Sequence, residues 1–127
     1  MHIKKCIQMV STVLFICCVI AVSWGIFRST PPQEIFYQSD KVLHVLAFSL
    51  LAFTGRMAMP MLSSFLYWPI IAVIVVSMEY LQGVLQFTRI SSLEDAVANL
   101  AGVGLAFVAV KVAVKIVDKV MSSHLDY

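Results

Sequence analysis

The stretch WPIIAVIVVSMEYLQGVLQF, Trp68 to Phe87, decides how this chain folds. From Trp68 to Met78 it carries no charged residue. Its apolar residues do not alternate with polar ones, as a half-buried strand requires, and the run is longer than a strand. Such a run reads as a helix crossing a lipid bilayer, where every backbone polar group must be paired internally. Glu79 then stands at or inside the end of a membrane-spanning segment. A carboxylate at the bilayer centre costs at least about 2.5 kcal/mol even on insertion scales, so Glu79 needs a partner.

The rest of the chain reads the same way. Hydrophobic residues make up 61% of its 127 residues and charged residues 13%. A typical soluble domain is about 45–50% apolar and about 25% charged. Mean hydropathy is +0.93. Ile7 to Phe27 is an apolar run of 21 residues, about 31 Å of helix at about 1.5 Å per residue. Further segments lie at about 42–59, 62–87 and 96–117. Each approaches the length needed to cross a hydrocarbon core of about 30 Å. The expectation is one domain over residues 1–127, an all-α, polytopic membrane four-helix bundle.

Polar punctuation separates the segments. Arg28 to Asp40 holds two prolines and many hydrogen-bonding side chains, which cannot remain in lipid. Pro60 marks a tight hairpin between the second and third segments. Ser91-x-x-Glu94 and Ser92-x-x-Asp95 both have the capping-box form, so the fourth helix starts at one of these serines. The first segment also has the form of a signal peptide, with Ala21-Val22-Ser23 as a small-x-small site. Its apolar run continues through Trp24 to Phe27, which suits an anchor better. Cys6, Cys17 and Cys18 lack zinc-ligand spacing and read as lipid-facing packing.

Six of the nine basic residues, Lys4, Lys5, Arg56, Lys111, Lys115 and Lys119, fall on one side of a four-crossing layout. Arg28, Lys41 and Arg89 fall on the other. The excess places both termini in the cytoplasm. The net charge of +2 and the lack of a basic stripe interleaved with aromatics speak against nucleic acid as a partner. The bilayer itself is the expected one.

With this topology the polar residues gather at one end. Asp40-Lys41-x-x-His44 opens the second helix, Glu79-x-x-Gln82 closes the third, Arg89 follows in the loop, and Asp95-x-x-x-Asn99 opens the fourth. Spacings of three and four put each pair on one helix face. Glu79 can then meet Arg89, Lys41 or His44 in a common pocket. Each residue also has a plainer use: Asp40 as an N-cap, Lys41 snorkelling to headgroups, Asn99 as an interhelical hydrogen bond. Ala98, Gly102 and Ala106 form a small-residue stripe that lets helices approach closely.

The stretches DKVLH, EYLQ and FTRISSLEDAVANLAGVGLA resemble the VanZ-like family of small bacterial membrane proteins. The family pattern is Asp-Lys-x-x-His, Glu-x-x-Gln, Arg, then Asp-x-x-x-Asn-x-x-Gly. It matches Asp40, Lys41, His44, Glu79, Gln82, Arg89, Asp95, Asn99 and Gly102, in order, over about residues 38–107. Phe87-Thr88 stands where the family often has glycine or proline before the arginine. The resemblance implies a bacterial inner-membrane protein, with a link to glycopeptide (teicoplanin) resistance through the founding member.

Three functions fit. A binding or protective module would hold a lipid-linked or cell-wall ligand in an outward pocket made of Asp40, Lys41, Gln82, Arg89 and Asn99, with Lys41 and Arg89 suited to phosphate. An enzyme would use His44, Glu79 and Asp95 for acid–base chemistry on such a molecule, with Arg89 stabilising developing charge. A proton-coupled carrier or assembly scaffold is the third, but a carrier needs polar groups through the full depth, and the inner half is nearly bare. No phosphate-cradling glycine loop, dinucleotide fingerprint or His-Glu-x-x-His is present. Two spaced histidine ligands are missing as well, so neither a metal nor another cofactor is expected.

Overall fold

Apolar length makes the helices and polar punctuation ends them. The computed structural model describes residues 2–28, 30, 33, 35–85 and 92–123, with Ile26 described by its backbone alone. Four helices follow in order: α1 His2–Phe27, α2 Ser39–Ala58, α3 Ser64–Leu85 and α4 Leu93–Ser123. The protein is an all-α four-helix bundle, and all four helices are long and apolar enough to span a membrane. Exposed side chains such as Val13, Ile20, Val73 and Val108 cover its outside. That surface would be a liability in water and is the natural one in lipid.

Three of the helices outrun the apolar segments that announce them, while α3 starts later than expected, at Ser64 rather than about 62. α1 starts at His2 rather than Ile7, and α4 runs to Ser123 rather than about Val117. With 31 residues α4 is about 46 Å long, well beyond a hydrocarbon core of about 30 Å. Lysines are good helix formers, so the backbone stays helical where hydropathy has already fallen. α2 likewise begins earlier, at Ser39, with Asp40 in its first turn, where the helix dipole favours a carboxylate. The Ser39 hydroxyl accepts the Ile35 N–H at 3.2 Å. At the other end Arg56 donates to the Met59 carbonyl at 2.8 Å and to the Ser64 hydroxyl at 3.0 Å, tying the hairpin closed. Residues 86 and 87, expected in the third helix, lie outside the described ones.

α2 is the hub, packed most extensively against α4 and next against α1, while α3 lies mainly against α4. The core is Phe48, Leu51 and Ala52 from α2, Tyr67, Ile71 and Val75 from α3, and Val103 and Ala106 from α4. The Tyr67 hydroxyl donates to the Ala52 carbonyl at 2.6 Å, so its buried oxygen is satisfied. The small-residue stripe Ala98, Gly102 and Ala106 is buried. At Gly102 a Cβ would stand 2.6 Å from the Val45 carbonyl oxygen of α2, so only glycine admits this approach. α1 is the outlier: 6% of its apolar stretch is buried, against 22–28% in the other helices, so it leans on the bundle from outside.

The two ends of the bundle differ in charge. Lys4 meets Asp118 at 3.3 Å, so the start of α1 and the end of α4 share one end. Lys5, Arg56, Lys111 and Lys115 lie there too, around a cavity of about 900 Å³. The Lys111 ammonium sits 4.3 Å from the centre of the Phe107 ring. Asp40, Glu79, Gln82, Asp95 and Asn99 lie at the opposite end.

Candidate functional site

Four helix ends build the site: the end of α1, the start of α2, the end of α3 and the start of α4. Asn99 is the fastener. It is 1% exposed, and its amide nitrogen donates to the Val75 carbonyl of α3 at 3.1 Å. Its amide oxygen lies 2.8 Å from His44 Nδ1 of α2. An amide oxygen only accepts, so Nδ1 carries the hydrogen. One side chain of α4 therefore ties α2 to α3 and fixes the imidazole. The ring's other nitrogen, Nε2, is turned toward Asp40, 3.8 Å from its Oδ1. Phe48, one turn on, stacks on the same ring with centroids 6.1 Å apart.

Glu79 is 6% exposed and lies six residues before Leu85, about 9 Å along the axis. Its Oε1 accepts the Ser92 N–H at 2.9 Å. Ser92 precedes the first residue of α4, and its hydroxyl accepts the Glu94 N–H at 3.2 Å. Ser92 is thus the N-cap, and Glu79 reaches across from α3 to take an amide that would otherwise be orphaned at the helix start. The positive end of the α4 dipole favours a carboxylate there. Among the described residues the partner of Glu79 is a backbone amide and not a side-chain cation. Its second oxygen, Oε2, is buried with no hydrogen-bond partner among them.

Lys41 takes a different place from the one its sequence neighbours indicate. Its ammonium lies 2.7 Å from Glu94 Oε2, an exposed carboxylate. Arg89 lies outside the described residues. Asp95 is 9% exposed, and one of its oxygens lies within 4.8 Å of ligand atoms of both Asp40 and His44.

Of the residues above, Asp40, His44, Glu79 and Asn99 border a cavity of about 240 Å³, whereas Lys41 and Asp95 do not line it. Arg28, Asp40, His44, Glu79, Gln82 and Asn99 make its polar wall, and Ala21, Val22, Gly25, Leu43, Ala47 and Met78 belong to its apolar one.

No family model, curated protein or solved structure matches the chain.

The cavity's chemistry is legible from its atoms. Its two kinds of wall match an amphiphile. Its polar side presents a fixed imidazole, a half-satisfied buried carboxylate and the guanidinium-bearing Arg28. The contribution of α1 is what sequence reasoning missed. Ala21 and Gly25, four apart, are small residues on one face of α1, and that spacing is the signal that was available. Arg28 figured only as one basic residue among nine.

Proposed function

We propose that the protein is a VanZ-like bacterial inner-membrane protein, both termini in the cytoplasm, whose outward-facing cavity binds or shields the polar head of a lipid-linked cell-envelope molecule. The observation that carries this reading is the split lining of the cavity. Aliphatic residues of α1 and α2 face polar residues of α2, α3 and α4, among them the ionisable Asp40, His44 and Glu79, across about 240 Å³. Such a space suits the junction between a head and its chain, the head on the Glu79 side and the chain toward lipid. α1, the least buried helix, forms much of the apolar wall, so a lipid-borne ligand has a short lateral route in.

The test is lipid retention. The full chain, purified in mild detergent from bacterial membranes, would be analysed by native mass spectrometry for a co-purifying amphiphile. A Cβ on Gly25 meets nothing within 4 Å, so Gly25→Leu can fill the cavity without breaking the bundle. The expected result is a retained envelope lipid that Gly25→Leu displaces, with glycopeptide tolerance of the host falling in parallel. Retention unchanged by Gly25→Leu would sink the reading.

Acid–base chemistry on the same head is the second reading, supported by the His44 ring. With Nδ1–H held by Asn99, His44 turns Nε2 toward Asp40, 3.8 Å from its Oδ1, where a proton can be exchanged. Conversion of an added lipid-linked substrate by the purified protein in defined lipid separates the enzyme from the module.

A further inference from the structure

We propose that Asp40, His44 and Asp95 form a binding site for one divalent transition-metal ion, Zn²⁺ or Mn²⁺. The sequence alone does not lead there, because its polar motifs hold one histidine, His44, where metal motifs offer two. The bundle supplies what spacing cannot: α4 brings Asp95 against a His–Asp pair set four apart on α2. One ligand atom from each of the three lies within 4.8 Å of the other two. An ion held at about 2.0–2.2 Å from each of three donors sets them about 3.0–3.8 Å from one another. The widest of the present separations must close by roughly 1–2 Å, which rotation of a carboxylate about its side-chain bonds supplies.

The orientation of His44 is the second observation. A histidine that ligates a metal through one ring nitrogen characteristically donates the other N–H to a carbonyl or carboxylate. His44 does this: Nδ1 donates to Asn99 Oδ1 at 2.8 Å, and Asn99 is itself held by the Val75 carbonyl at 3.1 Å. The ring is thereby held with Nε2 turned toward Asp40, 3.8 Å from its Oδ1, which is the nitrogen left to ligate an ion.

Glu79 is the third. It is 6% exposed, it lines the same cavity as Asp40 and His44, and its Oε2 has no hydrogen-bond partner among the described residues. A buried, unpartnered carboxylate oxygen is costly unless something cationic or hydrogen-donating faces it. Glu79 is not one of the three clustered donors, so a water molecule carried by the ion into the shared cavity, and not the ion itself, satisfies that requirement. Lys41, the neighbouring ammonium, is taken up by Glu94 at 2.7 Å. One imidazole with carboxylate oxygens favours Zn²⁺ or Mn²⁺, since Mg²⁺ and Ca²⁺ prefer all-oxygen sets.

The experiment uses the full chain in detergent, stripped with chelator and then titrated with Zn²⁺ alone or Mn²⁺ alone. Calorimetry should give saturable binding of one ion per chain. X-ray absorption of the zinc form should show one imidazole nitrogen with oxygen donors and no sulfur. His44→Ala and Asp95→Asn should each weaken binding by at least about tenfold, and Asn99→Ala, which acts by positioning His44, by about 10–100-fold. Tyr67→Phe should bind like the parent. Absence of saturable binding, sulfur in the zinc shell from Cys6, Cys17 or Cys18, or parental affinity in the His44→Ala/Asp95→Asn double variant would each overturn the proposal. The absorption spectrum is read on the unmodified protein, so it decides even if a variant fails to fold. The site does not rest on the amphiphile reading: metal is titrated without added lipid, and Gly25→Leu should lose the lipid while keeping the metal.

Discussion

Gly102→Ala should pull the site apart without touching any of its polar residues. The new Cβ would lie 2.6 Å from Val45 O, 3.0 Å from Ser49 N and 3.4 Å from Phe48 C, all backbone atoms of α2 that no rotamer change can move aside. Carbon-to-oxygen contacts settle at about 3.3 Å or more, so α2 and α4 must separate by roughly 0.7 Å. Val45 follows His44 directly, and Gly102 lies one turn after Asn99. The separation therefore falls on the His44–Asn99 hydrogen bond, now 2.8 Å. Stretched to roughly 3.5 Å it passes the range of about 2.7–3.2 Å in which such bonds hold. Overpacking of this kind costs about 1–3 kcal/mol, and an interhelical hydrogen bond in a membrane about 0.6 kcal/mol. Gly104→Ala is the control, because nothing lies within 4 Å of its Cβ. Both variants gain the same helix propensity, which cancels in the comparison. Unfolding by sodium dodecyl sulfate in mixed micelles should then place Gly102→Ala about 1.5–3.5 kcal/mol below Gly104→Ala. Nitrogen-15 spectra of His44 should show the loss of the fixed Nδ1–H tautomer in Gly102→Ala alone. Equal stabilities and identical imidazole spectra would refute the argument from close approach.

Glu79→Gln should insert and unfold much like the parent, because a glutamine Oε1 can still accept the Ser92 N–H, yet it should abolish the envelope phenotype; membrane abundance and glycopeptide tolerance measured together check this. Tyr67→Phe removes the bond to the Ala52 carbonyl and should cost about 0.5–1.5 kcal/mol in the same unfolding assay, with no effect on metal or lipid binding. Reporter fusions should be exported at Gln33 and retained in the cytoplasm at Ser63, and the opposite pattern would invert the proposed topology.

The number and type of helices were legible because runs of apolar residues near twenty long have few other uses. Their ends were less so. Hydropathy marks where lipid stops, whereas the helix at Lys4 and Lys5, or beyond Val117, stops only where hydrogen bonding does. At the site, spacing assigned Asp40, His44, Glu79, Gln82, Asp95 and Asn99 to one end, and the structure has them there. Partnerships are another matter. A sequence displays side chains, so it offered Glu79 the partners Lys41, His44 and Arg89; Arg89 lies outside the described residues, and among those the donor is the Ser92 amide, which is presented because α4 begins there. Lys41 went to Glu94, and Asp95 joined His44, through the rotation of α4 about its own axis. That angle is set by the fit of Gly102 against Val45, which no single-helix pattern encodes.

The hydrogen bond between His44 and Asn99 spans 55 residues of chain. A ribosome adding about 5–20 residues per second makes that distance a wait of about 3–11 s, during which His44 has been synthesised and its fastener has not. α2 and α3 must therefore leave the insertion machinery with polar groups that have no mates in lipid, or stay beside it until α4 arrives. α4 is the helix that satisfies the two before it. A chain stopped before Asn99 should linger at the insertion site or be degraded, so the fate of α2 and α3 is decided only when α4 is made.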